Sequence, residues 1–345
     1  MKKVYTLVLS LIIGASLFAQ DIHYSQFFNA PMLLNPALTG FTPGSYRVGV
    51  NYRNQWFSAT GGGFGASPYM TTAIGGDVPI KVKDDVVGVG LFLANDQAGA
   101  NTFSTIMVCA SASYIKTLGK KKNHHLSVGF QLGFTNTSIN TGGFQFASQF
   151  TDNVFSSSVS SNENIGKTNV IYPNINAGLL WYGKISDGLG LYAGGSLFNL
   201  SQPKYDVLAN QKNDLYLRWN VHAGADISIV KKYHLLPALM FMRQGVDNQL
   251  NTGLGFGIDL TDDVNLTLGL YNRINTLKSG GANGDCIIPY VALEFVGFKL
   301  GISYDATLSQ LKNAGSAIGA LELSLSYTGK RKNYNYKSAL ICPRF

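Results

Sequence analysis

Charge is scarce in this chain. Only 13% of its 345 residues are Asp, Glu, Lys or Arg, against about 25% in soluble domains. No composition shift or Pro/Ser-rich linker divides the length into two soluble domains. Cysteine is equally sparse: the three residues Cys109, Cys286 and Cys342 form no C-x-x-C pair, which excludes the usual zinc spacing and a disulfide framework. The five histidines come without a G-x-S-x-G elbow, and Asp84-Asp85 and Asp262-Asp263 fall short of an EF-hand loop. Beyond residue 20 no uncharged apolar stretch reaches the ~18 residues of a membrane-spanning helix.

What is abundant is glycine (39), phenylalanine (20) and tyrosine (18), arranged in strict alternation. The run His125-Leu-Ser-Val-Gly-Phe-Gln-Leu-Gly-Phe-Thr-Asn-Thr137 puts apolar residues on one face of a strand and small or polar ones on the other, the pattern of a barrel wall between lipid and lumen. Val264, Leu266, Leu268 and Leu270 alternate in the same way with Asn265, Thr267 and Gly269, as do Trp219, Val221, Ala223 and Ala225 with Asn220, His222, Gly224 and Asp226. Fourteen such strands begin near residues 46, 69, 86, 103, 125, 172, 189, 215, 233, 250, 264, 287, 298 and 318, each bounded by Gly, Asn, Asp or Lys. Residues 1–20, with Lys2-Lys3 followed by an apolar run to Ala19, read as a secretory signal peptide. An exported chain without a helical anchor has a closed barrel as its natural membrane form.

Connection lengths alternate short and long. Short ones are expected at 81–85, 119–124, 186–188, 230–232, 261–263 and 296–297. Long ones are expected at 54–68, 95–102, 138–171, 201–214, 273–285 and 305–317, with a brief one at 244–249. Bacterial barrels place short turns in the periplasm, so both termini are expected there. The predicted organisation is a signal peptide (1–20), an N-terminal periplasmic or plug segment (21–45), an all-β transmembrane antiparallel barrel of about 14 strands (46–328) and a periplasmic tail (329–345). Cys286 then lies near the outer rim and Cys342 in the tail, across a band roughly 25 Å tall, far beyond disulfide reach. The formal charge of +8 does not signal nucleic acid. Its lysines gather in short turns and the tail, at 120–122, 231–232 and 330–332, where solvation is the default and contact with anionic lipid or a partner the alternative.

No constellation for chemistry emerges. His222 and Asp226 share a lumen face four residues apart on one strand, roughly 13 Å from each other, too far for a hydrogen bond. His124-His125 has no third ligand in sequence, and Gly61–Gly65 lies in an outer loop rather than between strand and helix. The chain is therefore expected to be no enzyme and to carry no cofactor or metal. Loop 138–171, with Phe144, Phe146, Phe150 and Phe155 among Ser, Asn and Gln, suits recognition or an inward fold that closes the pore.

Five motifs in order, Asp21-Ile-His-Tyr-Ser-Gln-Phe-Phe28, Leu34-Asn-Pro-Ala37, Arg47-Val-Gly-Val-Asn-Tyr-Arg-Asn-Gln-Trp56, Gly301-Ile-Ser-Tyr-Asp305 and Cys342-Pro-Arg-Phe345, make the chain resemble the PorP/SprF family of Bacteroidetes outer-membrane proteins. Asp305-Ala306-Thr307 departs from the usual Asp, aliphatic, Asn. The resemblance implies an outer-membrane location, type IX secretion and, in gliding species, motility. It also implies as partners outer-membrane lipid, the periplasmic ring lipoproteins of the machine, and a large secreted adhesin or its C-terminal domain. The motif positions His23, Tyr24, Ser25, Gln26, Phe27, Asn35, Pro36, Arg53, Trp56, Cys342, Pro343, Arg344 and Phe345 are the candidates for partner binding or for a plug. Residues 23–28 and 34–37 either fold into the barrel or join the basic tail in a periplasmic docking face. Arg53 and Trp56, at the outer end of the first strand, suit a lumen charge and an interfacial aromatic. The alternative function is a channel or transporter for a nutrient or hydrophobic small molecule, since 14 strands can enclose a lumen.

Overall fold

Fourteen antiparallel strands close on themselves in the computed structural model of the protein, which describes residues 21–56, 69–98, 103–141, 146–151, 154–156, 158–162, 167–204, 214–230, 232–261, 263–276, 282–308 and 319–329. The wall is made of β1 (Arg47–Gln55), β2 (Tyr69–Val82), β3 (Asp85–Ala98), β4 (Phe103–Leu118), β5 (His124–Ile139), β8 (Asn169–Ser186), β9 (Leu189–Phe198), β10 (Arg218–Val230), β11 (Tyr233–Gln244), β12 (Asp247–Thr261), β13 (Val264–Thr276), β14 (Ala282–Phe295), β15 (Phe298–Thr307) and β16 (Gly319–Thr328). A two-stranded hairpin, β6 (Phe150–Thr151) with β7 (Val154–Phe155), sits in the β5–β8 connection. Strands neighbour in chain order, and β16 closes the sheet onto β1 from Arg47↔Thr328 to Gln55↔Ala320. Closure removes the two free edges that an open sheet would carry, which is what hydrocarbon surroundings require.

The period of two decides which side chains face out. In β5, Val128, Phe130, Leu132 and Phe134 are exposed on the outer surface, while His125, Ser127, Gln131, Thr135 and Thr137 are buried inside. Leu268 and Leu270 point outward in β13, and Tyr271 and Arg273 point inward. No helix among the described residues is long and apolar enough to cross a membrane.

Every predicted strand is present, with shifts at some starts. The largest is β14, which begins at Ala282 rather than near 287. Asn283, Gly284 and Asp285 read as loop residues, yet they continue the ladder with β13, whose register shifts after Arg273. The expected loop 273–285 thus loses both ends to the wall, and Asp305, expected to open a loop, lies within β15.

Candidate functional site: the filled lumen

The lumen is occupied by the chain's own residues 21–44. Three short turns of helix, Phe27–Asn29, Pro31–Leu34 and Pro36–Leu38, make this segment compact. Prolines at helix starts, which lack an N–H that would go unpaired there, and the Asn35 side chain, which accepts from the Ala37 N–H, account for the two later turns. The segment runs from one rim to the other. Asp21 lies against Gln244, Asn199 and Arg218 at the end carrying the long connections. Gly40 donates to Asp77 near the short-turn end.

The densest polar contacts hold Ser25 and Gln26. Both backbone N–H groups donate to the Glu322 carboxylate, each at 2.8 Å. The Ser25 hydroxyl donates to Asp305 Oδ2 at 2.7 Å and accepts from Arg53 Nη1 and Arg273 Nη1 at 3.0 and 2.8 Å. Arg53 pairs with Glu322 and Asp305, and Arg273 with Asp305 and Asp285. Strands β1, β13, β14, β15 and β16 thus converge on one serine. Arg53, Arg273, Asp305 and Glu322 are almost wholly buried, while Asp285 is partly exposed, and buried charges are tolerated only when paired and hydrogen-bonded.

A second anchor is Asn35, fully buried. Its Nδ2 donates to the carbonyls of Leu179 and Gly195 at 3.0 and 3.2 Å and lies 3.0 Å from His222 Nε2. Wall side chains also supply the backbone partners that short helices lack. Gln131 donates to the Met32 carbonyl, Ser196 to that of Leu34, Ser127 to that of Ala37 and Ser113 to that of Thr39. Such groups must be paired once buried. Glycines on the lumen face allow the close approach: a Cβ at Gly178 would lie 1.9 Å from Asn35 Oδ1, and one at Gly129 2.2 Å from the Pro36 carbonyl carbon. Phe27, Phe28, Leu34, Leu38 and Phe41 complete the packing as part of the buried core with Tyr182, Tyr271 and Tyr290.

The sequence candidates therefore separate. Ser25, Gln26 and Arg53 meet in one network, and Asn35 and Pro36 sit against β5, β8 and β9. Tyr24 and Phe27 are buried beside them. Residues 24–28 are buried in the lumen. His23 Nδ1 lies 3.0 Å from the Asp21 carbonyl oxygen. Trp56 has a positive φ of 62°, donates its N–H to the Gly319 carbonyl and sets its ring edge-on to Tyr69. Residues 1–20, read as a signal peptide from sequence, Gly61–Gly65 and the tail residues Cys342, Pro343, Arg344 and Phe345 lie outside the described residues. Cys109 and Cys286 are buried free thiols.

Sequence reasoning missed Arg273, Asp285 and Glu322, because each lies in a segment read as loop or as ordinary strand. A charge within an otherwise alternating strand was the available signal, since it must face the lumen and meet a partner there. It also missed that Asp226, too far from His222, bonds instead to His234 Nδ1 at 2.9 Å. His234 Nε2 in turn lies 3.2 Å from Asp259, so three adjacent strands are cross-linked near the short turns. Ser228 approaches the same His234 nitrogen at 3.2 Å but shares it with Asp226. Among the described residues no group of three or more His, Cys, Asp or Glu is arranged to hold a metal.

Several solved structures share this architecture. The Ralstonia pickettii toluene transporter TbuX matches at 7% identity with a TM-score of 0.53, covering 88% of this chain and 94% of that one. The P. putida toluene transporter TodX matches at 10% identity and 0.51, covering 89% and 95%. A mutant TodX monoaromatic hydrocarbon channel matches at 11% and 0.53, covering 88% and 94%. At such identities the likeness shows the barrel fold alone. No curated protein matches the sequence significantly. The family model for type IX secretion system membrane protein PorP/SprF matches residues 16–327, and with the barrel and the ordered motifs now in place, this chain belongs to the PorP/SprF family of type IX secretion system membrane proteins.

Proposed function

We propose that the protein is a non-enzymatic binding barrel of the outer membrane that docks to periplasmic components of the secretion machine and helps to secrete or anchor a large surface adhesin. The observation that carries this reading is the filled lumen. Ser25 and Gln26 are tied to five wall strands through buried charges, and Asn35 to three more, which is a construction for a closed barrel. A conducting pathway would require all of these contacts to open. Outer-membrane lipid is the expected partner of the exposed Leu, Val, Ile and Phe band. The short-turn rim, with Lys120, Lys121 and Lys122 exposed, is the expected docking face for ring lipoproteins, and the long-loop end the expected place for cargo. The chain end that follows β16 is assigned to the periplasm, on the short-turn side, whereas Asp21 lies at the long-loop end of the lumen, so a chain cleaved after residue 20 begins there rather than in the periplasm.

The test is mass spectrometry of proteins retained by a chromosomally tagged copy, gently solubilised from native membranes. Stoichiometric recovery of a large adhesin or of ring lipoproteins supports the reading. Recovery of the barrel alone, after crosslinking and in several detergents, overturns it in favour of a channel, for which steady conductance in planar bilayers is the matching result.

A further inference from the structure

Buried polar atoms without a partner are scattered through the described residues, at Thr42, Asn54, His125, Asn136, Asn174, Asn272 and Asp305, but they concentrate on one wall of the lumen. On β10 and β12 the buried polar atoms Arg218 Nε, Asn220 Oδ1, His222 Nδ1, Gln249 Nε2 and both amide atoms of Asn251 have no hydrogen-bond partner. These residues are neighbours in the sheet: Asn220 and Gln249 flank Met242, and His222 and Asn251 flank Met240. Buried polar groups are paired in about nine cases of ten or more, so this strip of six unpaired atoms gathered on β10 and β12, on either side of Met240 and Met242, points to an occupant. A void bordered by His23, Leu33, Leu34, Arg218, Asn220 and Met242 adjoins the strip. Its volume of about 20 Å³ admits a water molecule. Nothing larger joins this site without displacing what is already there.

What is there is Asp21 and Ile22. Gln244 accepts from the Asp21 backbone N–H at 2.9 Å, Asn199 Nδ2 donates to the Asp21 carboxylate at 2.6 Å, and Arg218 Nη1 donates to the Ile22 carbonyl at 3.1 Å while lying 3.6 Å from that carboxylate. The Arg218 guanidinium is 4.1 Å from the Phe198 ring centroid, which fixes its plane. A backbone N–H, a backbone C=O and a carboxylate are thus each read by a different wall residue, and the unpaired strip below carries both donors and acceptors. That combination recognises an extended acidic peptide. We propose that Asn199, Arg218 and Gln244, continued by Asn220, Gln249 and Asn251, form a binding site at the long-loop end for an extended peptide with an acidic residue, and that Asp21-Ile22 is an internal ligand which an incoming peptide displaces. The inference deepens the cargo reading above and rests on it for the identity of the incoming chain.

The experiment uses full-length protein in detergent and a fluorescently labelled hexapeptide of the segment's own sequence, Asp-Ile-His-Tyr-Ser-Gln, read by anisotropy. Asp21→Ala, which weakens the internal ligand, is expected to bind this peptide at least tenfold more tightly than the unaltered protein. Replacing the peptide's Asp by Asn, or adding Arg218→Gln to the protein, is expected to weaken binding at least tenfold; Asn199→Ala serves if Arg218→Gln does not fold. No saturable binding to a folded Asp21→Ala barrel, or binding indifferent to the Asn peptide and to both wall variants, overturns the proposal and leaves the strip to water. The cargo reading is judged separately by pull-down. If the unaltered protein retains a secreted partner and Arg218→Gln retains it equally, this site is wrong and the cargo reading stands. If the unaltered protein retains none, the cargo reading fails, and the peptide assay alone decides the site.

Discussion

Glu322→Gln tests the idea that buried charge holds the lumen segment in place. In the intact protein both Glu322 oxygens accept a backbone N–H, from Ser25 and from Gln26, and the carboxylate also pairs with Arg53. The amide keeps one acceptor and turns an N–H₂ toward a donor, so one charge-assisted bond is lost and another weakened, while Arg53 keeps Asp305 at 3.0 Å. Hydrogen bonds to charged groups contribute about 1.5–3 kcal/mol each, so the docked segment loses roughly 2–3 kcal/mol, about 30- to 150-fold in its release equilibrium. The barrel closure between β1 and β16 rests on the backbone ladder and survives. Single-channel recording in planar bilayers is expected to show the open fraction rising by that factor, with heat-modifiable gel mobility confirming an intact barrel. An open fraction equal to that of the unaltered protein, in a folded barrel, refutes the latch.

Asn35→Ala removes the Ala37 cap and the donor to Leu179 and Gly195; a loss of about 1–3 kcal/mol is expected from the Ala37 N–H left unpaired, seen as a lower thermal midpoint of the segment's protection from protease. Gly178→Val places carbon where Asn35 Oδ1 stands, and overpacking of about 1–3 kcal/mol is expected to release the same segment; an unchanged protease pattern counts against close packing there. Leu132→Arg puts a charge on the outer face midway along β5, where Leu132 is 63% exposed, and is expected to reduce barrel stability in lipid by about 2–4 kcal/mol, measured by reversible unfolding into urea with vesicles present. In a Cys342→Ser background, Cys109 and Cys286, buried and unbridged, are expected to react with a bulky maleimide only after unfolding, whereas rapid labelling of the native barrel contradicts their placement.

The strand number, the closed barrel and the inward or outward direction of most wall residues were legible in the sequence. Lipid demands an apolar residue at every second position, and that demand is local enough to read one strand at a time. The polar and glycine positions of the lumen face were visible in the same way, but their partners were not. Arg53 and Trp56 were recognisable as inward charge and rim aromatic, yet nothing in their spacing links Arg53 to Glu322, 269 positions away. Asn283–Asp285 read as loop because turns and strand irregularities use the same residue types, and only pairing with β13 distinguishes them. The N-terminal segment shows the division most plainly. Its prolines and asparagines predict turns and exclude a wall strand, but whether such turns lie inside a barrel or below it depends on groups contributed by strands far apart in sequence. The tertiary structure alone brought Glu322, Asp305, Arg53 and Arg273 around Ser25 and stacked Gly129 and Gly178 beneath the Asn35-Pro36 turn, because ring closure, rather than any local preference, makes those residues neighbours.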